Sequence, residues 1–172
     1  IYAIFSKGGV WVNDAGTDSP IDGGTQFTIS GWFKHGNYNY YYDHVFYKRQ
    51  KANNGGTPIN AFAIECGTGN TPSPTVRGSS GTGAAKTGAS NLLDTWGYLT
   101  FVFDDGKCYF YENGTRVSGD IAITTCIDND APLVFGNNTD ISLGQKGDAA
   151  WNGWIDEVRF SKESVGKILR HR

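Results

Sequence analysis

The sequence predicts an all-β sandwich, and three observations predict it. Apolar and polar residues alternate with period two in several short segments, turn residues punctuate those segments, and no helical periodicity lies between them. The chain has 172 residues, of which 14% are aromatic and 19% charged, with a formal net charge of −2. That length fits a single domain over residues 1–172, and the rings supply much of its core. Short strands without intervening helices exclude a βαβ architecture and leave a sandwich or a barrel.

The chain opens on Ile1-Tyr2-Ala3-Ile4-Phe5, which reads as the middle of a strand, and it contains no Met. Both features predict a segment excised or processed from a larger protein. Residues 8–25, with Asp14, Asp18 and Asp22 among Gly, Ser and Pro, read as a loop. In Phe27-Thr28-Ile29-Ser30-Gly31-Trp32-Phe33-Lys34, Phe27, Ile29 and Phe33 share one face while Thr28, Ser30 and Lys34 share the other, as in a half-buried strand. Residues 35–43 form a polar, tyrosine-rich insertion, with strand signals next at 44–49 and 61–66. Residues 67–90 carry two prolines and many Gly, Ser and Thr, and read as the longest loop, either functional or poorly ordered. Within that loop, Gly78–Thr87 looks briefly like a phosphate-binding loop. Lys86 follows Gly83 too late and the flanks are not strand and helix, so a flexible loop is the reading.

Strands follow at 98–103 and 107–112, joined by a tight hairpin at Asp104-Asp105-Gly106. Glu112-Asn113-Gly114 closes the second with residues that tolerate positive φ. Further strand signals lie at 121–127, 141–143 and 153–160. The helix candidate is terminal: Ser161 as N-cap, Glu163 in the first turn, and Val165, Ile168 and Leu169 as an apolar stripe.

Charge and hydropathy remove several function classes. Nucleic acid and anionic membranes call for clustered Lys and Arg, and the group Lys167, Arg170 and Arg172 reads as a solvated helix face. No apolar run approaches the roughly 20 residues of a membrane span, so no membrane insertion is expected. Cys66, Cys108 and Cys126 match no zinc or thioredoxin spacing and are either buried thiols or one disulfide with a spare thiol. The sequons Asn113-Gly114-Thr115 and Asn137-Asn138-Thr139 matter only in a eukaryotic secretory pathway.

Four segments, in order, carry a family resemblance. The strand Phe27–Lys34 is similar to the form F-T-[IV]-x-[AG]-W-[VF]-K, and Trp96-Gly97-Tyr98-Leu99-Thr100-Phe101-Val102-Phe103-Asp104 to W-x-[HY]-[LV]-x-[FV]-[TV]-[FY]-D. Cys108-Tyr109-Phe110-Tyr111-Glu112-Asn113-Gly114 is similar to L-x-[LF]-Y-x-[ND]-G, and Trp151–Phe160 to F-x-G-x-I-D-E-V-R-[IF] with a short helix after it. Together they resemble the laminin-G-like, concanavalin A-like lectin/glucanase superfamily. The resemblance implies a jelly-roll β-sandwich of two antiparallel sheets, one concave and one convex, with a short C-terminal helix. It implies a carbohydrate-binding or adhesion module of a secreted or cell-surface protein, working beside other domains of the parent chain. It also implies core-associated positions for Trp32 and Trp96, and a structural calcium bound by Asp156 with backbone carbonyls near the N-terminal strand.

Some members of that superfamily hydrolyse glycosides, which needs two carboxyl groups on one face. The hydrolytic relatives supply them from one strand in a pattern like E-x-[DN]-x-x-E, and no such run exists here. Glu65, Glu112, Glu157 and Glu163 lie on different elements, and the adjacent Asp156 and Glu157 are expected on opposite faces of a strand. His35, His44 and His171 form no H-E-x-x-H pair, and there is no G-x-S-x-G elbow. The expectation is that the protein is not an enzyme. Calcium wants roughly 6–8 oxygens, and Asp156 is either one of its ligands or a hydrogen-bonded strand carboxylate. Asp14, Asp18 and Asp22 carry less weight and suit turns.

Sugar rings present apolar C–H faces, so sugar sites pair exposed aromatic rings with hydrogen-bonding side chains. The segment from His35 to His44 offers Tyr38, Tyr40, Tyr41 and Tyr42 with His44 as ligand-binding candidates. The alternative is that some of these rings cover the sandwich end as a local core. Trp154 precedes Ile155, so alternation sends it outward, to a ligand or beneath the terminal helix. The prediction is a non-catalytic module binding a glycan or polysaccharide. Tyrosine serves protein recognition equally well, so a protein-binding adhesion or spacer domain, facing another surface protein, is the rival.

Overall fold

The alternation in Phe27–Lys34 becomes a ten-residue strand, and around it the chain assembles two antiparallel sheets. The computed structural model describes residues 3–5, 10–12, 26–36, 43–50, 59–66, 72–78, 81–84, 91–117, 121–122, 133–136, 139–140, 145–146 and 151–162. Side-chain surroundings are described at 26–36, 45–46, 91–117, 133–136 and 151–162. The strands are β1 (Ala3–Phe5), β2 (Val10–Val12), β3 (Gln26–His35), β4 (Asp43–Gln50), β5 (Ile59–Cys66), β6 (Pro72–Gly78) and β7 (Gly81–Ala84). There follow β8 (Gly97–Asp104), β9 (Lys107–Glu112), β10 (Thr115–Arg116), β11 (Ile121–Ala122), β12 (Leu133–Phe135), β13 (Thr139–Asp140), β14 (Gln145–Lys146) and β15 (Gly153–Ser161).

Among the described residues, one sheet has seven strands in the order β1-β15-β3-β8-β9-β10, with β11 also paired to β9. The other has six, β2-β12-β4-β5-β6-β7, and β13 and β14 form a separate ribbon. The last strand sits beside the third and the twelfth beside the fourth, so the chain repeatedly crosses between sheets, as the predicted jelly roll requires.

The core lies between the sheets and is largely phenylalanine. Phe27, Ile29 and Phe33 from β3, Leu99, Phe101 and Phe103 from β8, and Phe110 from β9 meet Phe46 from β4 and Leu133 and Phe135 from β12. Phe46 touches Phe101 edge to face with centroids 6.2 Å apart, which joins one sheet to the other. Phe27 stacks on Phe103 at 5.4 Å and on Phe160 at 5.7 Å. Each such fully buried ring contributes roughly 1.5–3 kcal/mol by leaving water. In β4 the register shifts between His44 and Phe46, so both Val45 and Phe46 join the core. Cys108 is buried in that core as well; Cys66 lies in β5 and Cys126 outside the described residues.

Both predicted hairpin turns form. Asp105 and Gly106 have φ of 44° and 83°, and Asn113 and Gly114 have 49° and 78°, the two positive values that a two-residue primed turn demands.

Several expectations change. Residues 67–90 are not one long loop, because β6 and β7 form a hairpin within them with Gly78 paired to Gly81. Within the flexible loop expected at 78–87, that pairing makes Gly78 and residues 81–84 strand. Gly, Ser, Thr and Pro suppress a local strand signal, but backbone pairing with β5 supplies what the side chains do not. Likewise β2, paired to β12, interrupts the loop expected at 8–25. The strand expected at 121–127 is described only as β11, and residues 141–143 lie outside the described residues. Ser161 ends β15; the helix expected after it also lies outside the described residues.

Candidate functional site

Residues paired across neighbouring antiparallel strands share a face, so the register of the seven-stranded sheet maps its outer side. Trp154 pairs with Lys34. In the next row Asp156, Trp32 and Tyr98 are partners. The row after that holds Arg159, Ser30, Thr100, Tyr111 and Arg116. Trp32, Tyr98, Tyr111 and Trp154 thus lie on one surface, interleaved with hydroxyl and charged groups.

A bulge in β15 creates this arrangement. Asp156 pairs with Trp32 and Arg159 with Ser30, leaving Glu157 and Val158 opposite Gly31 alone. Glu157 takes φ of 48°, and its amide donates to Asp156 Oδ1 at 2.9 Å. The extra residue resets the alternation, so Ile155, Val158 and Phe160 all contact the core while Trp154, Asp156 and Arg159 stay outside. The expectation that Asp156 and Glu157 lie on opposite faces is therefore overturned: both sit on the solvent side of the bulge. Gly31 sits close under the bulge, where a Cβ would stand 3.2 Å from Val158 Cγ2 and 3.3 Å from the Asp156 carbonyl oxygen, a tight fit.

The rings are held by specific contacts. Trp32 meets Tyr98 edge-on at 5.2 Å, and the Tyr98 hydroxyl shares a 2.9 Å hydrogen bond with Ser30 Oγ, so that ring leans along the sheet. Asn113 brackets the Tyr98 backbone, accepting from its amide through Oδ1 at 2.9 Å and donating to its carbonyl at 2.8 Å. Lys34 Nζ lies 4.8 Å above the Trp154 ring and 4.0 Å from Asp94 Oδ1. The Arg116 guanidinium lies 4.4 Å over the Tyr109 ring. Thr28 and Val102, in the adjacent row, are buried and bound the surface on that side.

Trp32 is 37% exposed, which corrects its expected place in the core. Its neighbours Gly31 and Phe33 face the core, and alternation leaves Trp32 on the opposite side. Trp96 is half-buried and Trp151 is fully buried against Phe33 and His35. His35 is not part of a polar loop, since it is buried with its ring 4.7 Å from Trp151.

Of the predicted ligand residues, Trp154 lies on the outer face as expected and is half-buried. Tyr38, Tyr40, Tyr41 and Tyr42 lie outside the described residues, and His44 belongs to β4 with its side chain outside them. A Cβ on Gly36, at the root of that segment, would stand 3.2 Å from the Trp154 ring. Sequence reasoning misses Tyr98 and Tyr111, although Tyr98, Tyr109 and Tyr111 alternate with Leu99, Cys108 and Phe110, which is the signal that finds them.

Asp156, the residue expected to bind calcium, accepts from the Glu157 amide through Oδ1 at 2.9 Å, and its side chain lies on the outer face. Among the described residues, no group of three or more His, Cys, Asp or Glu side chains is placed to hold a metal.

Comparison with known proteins agrees with this architecture. A family model described as the concanavalin A-like lectin/glucanases superfamily matches residues 8–166. Domain 4 of AbnA, a GH43 extracellular arabinanase from Geobacillus stearothermophilus solved with arabinotriose, is similar with a TM-score of 0.65 and 21% identity, over 95% of this chain and 71% of that one. A heptameric SAP-like pentraxin from Limulus polyphemus gives 0.60 and 17%, over 82% of this chain and 65% of its own. Domains LG4-5 of the mouse laminin alpha1 chain give 0.63 and 14%, over 89% and 38%. The chain thus spans less than two thirds of the pentraxin and laminin structures, and at these identities the likeness shows the fold. Comparison with curated proteins returns no match.

Proposed function

This chain belongs to the concanavalin A-like lectin/glucanases superfamily, and from that membership we propose that it is a carbohydrate-binding module that does not catalyse, using the outer face of its seven-stranded sheet. Trp32 carries the reading: a large ring, 37% exposed, steadied by Tyr98 and flanked on the same face by Lys34, Ser30 and Asp156. Covering that ring with the C–H face of a sugar removes apolar surface from water, while the neighbouring groups bond hydroxyls. The likeness to a domain solved with arabinotriose supports arabino-oligosaccharides as the first probe. Tyr38, Tyr40, Tyr41, Tyr42 and His44 are kept as proposed ligand residues on their chemistry alone, rings with polar tips in a segment rich in Asn and Asp.

Binding rather than hydrolysis is supported by the sequence, which holds no E-x-[DN]-x-x-E run, and some of the described carboxyl groups serve the sheet. Asp104 and Asp105 accept from Gln26 Nε2, Asp156 accepts from the Glu157 amide, and Glu112 is buried. A module of this kind belongs in a secreted or cell-surface protein.

A glycan array including arabinan fragments tests the reading. Trp32→Ala is expected to weaken capture of the bound glycans at least tenfold, about 1.4 kcal/mol, without lowering the melting temperature. Silence across the array overturns it in favour of a protein-binding adhesion or spacer domain. Reducing-sugar release that vanishes in Glu157→Gln overturns the non-catalytic half. Asp156 is further proposed as a calcium ligand: titration of chelator-treated protein with calcium should release or absorb heat and raise the melting temperature, and Asp156→Asn should abolish both. No heat and no thermal shift would sink that assignment.

A further inference from the structure

Resting on the carbohydrate-binding reading, we infer that this surface takes an extended internal stretch of a linear glycan chain rather than a single terminal sugar. The register sets the dimensions. Trp154 lies on β15, Trp32 on β3, Tyr98 on β8 and Tyr111 on β9, four consecutive strands of the sheet. Trp154 pairs with Lys34, whereas Tyr111 lies in the row of Ser30, four residues further along β3. Three strand spacings and four residue rises place the outer two rings about 20 Å apart along a diagonal. One sugar ring covers one aromatic ring, so a band of this length offers several subsites.

The band is continuous and directional. Its middle is the Trp32–Tyr98 pair, fixed by ring contact and by the bond from Tyr98 to Ser30. At one end Lys34 lies over the Trp154 ring; at the other, Arg116 pairs with Tyr111 in the ladder and lays its guanidinium over Tyr109. Between middle and far end lie the hydroxyls of Ser30 and Thr100, which suit the hydroxyl-rich edges of a sugar chain. The buried Thr28–Val102 row borders the band along one side. Among the described residues the sheet continues past Trp154 to β1 and past Tyr111 to β10, so the band runs across the sheet and not into one corner of it.

Calorimetric titration with arabinan, xylan and cellulose fragments, from monosaccharide to hexasaccharide, tests this on the wild type, Trp154→Ala and Tyr111→Ala. Their parent polymers are run alongside, with melting temperatures as the folding control. Affinity should rise at least tenfold from monosaccharide to tetrasaccharide for the glycan that binds. Trp154→Ala and Tyr111→Ala should each remove most of that gain, so that affinity no longer climbs with fragment length. A monosaccharide bound as tightly as the hexasaccharide, with both variants unchanged, overturns the extended site and leaves carbohydrate binding standing. Silence from every fragment and polymer overturns both.

Discussion

Gly153 has no side chain because its neighbours occupy the space where one would begin. A Cβ there would collide with the Lys34 carbonyl oxygen on the paired strand and stand 2.9 Å from the buried indole nitrogen of Trp151. Backbone cannot yield as a side-chain tip does. Gly153→Ala is therefore expected to lower stability by about 3 kcal/mol, read from urea unfolding at constant m-value; a loss below about 0.5 kcal/mol would refute the clash. At the same scale, Trp32 is the residue on which the sequence misleads. It falls within an aromatic motif whose apolar neighbours are core, and its size argues for burial. Only the phase of β3, with Phe33 at 0% exposure beside it, turns it to solvent. Tyr98 and Tyr111, by contrast, were legible from alternation with Leu99 and Phe110.

At the scale of elements, the bulge in β15 does the most with the least. Ile155, Val158 and Phe160 are spaced three and then two apart, a break in period two that a regular strand cannot bury on one side. One extra residue resolves it, and places Glu157 in a left-handed conformation that costs a residue with a Cβ about 1–2 kcal/mol. Glu157→Gly should thus raise stability by about 0.5 kcal/mol after the entropy of a freer unfolded chain is subtracted. Glu157→Val should lower it by about 1–2 kcal/mol, since branching at Cβ worsens the same clash. Equal stabilities for the two variants would show that the bulge relaxes in solution. The hairpin of β6 and β7 makes the converse point. Its Gly, Ser, Thr and Pro content hides a strand, and the ladder with β5 alone reveals it.

At the scale of the whole molecule, stability depends on contacts that join the sheets. Phe101 from the seven-stranded sheet touches Phe46 from the six-stranded sheet, and Phe27 on its own. Phe101→Ala should lower stability by about 3–5 kcal/mol in one cooperative transition seen alike by fluorescence and circular dichroism; separate transitions would mean that the sheets unfold independently. What the sequence by itself determined is the class: alternating aromatic strands, paired positive-φ turns and an ordered set of motifs predict an antiparallel sandwich, because those signals act over a few neighbouring residues. What only the tertiary structure decided is the surface. Trp154 on β15, Trp32 on β3 and the Tyr98–Tyr111 hairpin of β8 and β9 are distant from one another in the chain, and the three pieces share a face only through strand order, register and one bulge. These are set by pairing between remote segments, and no local pattern encodes them.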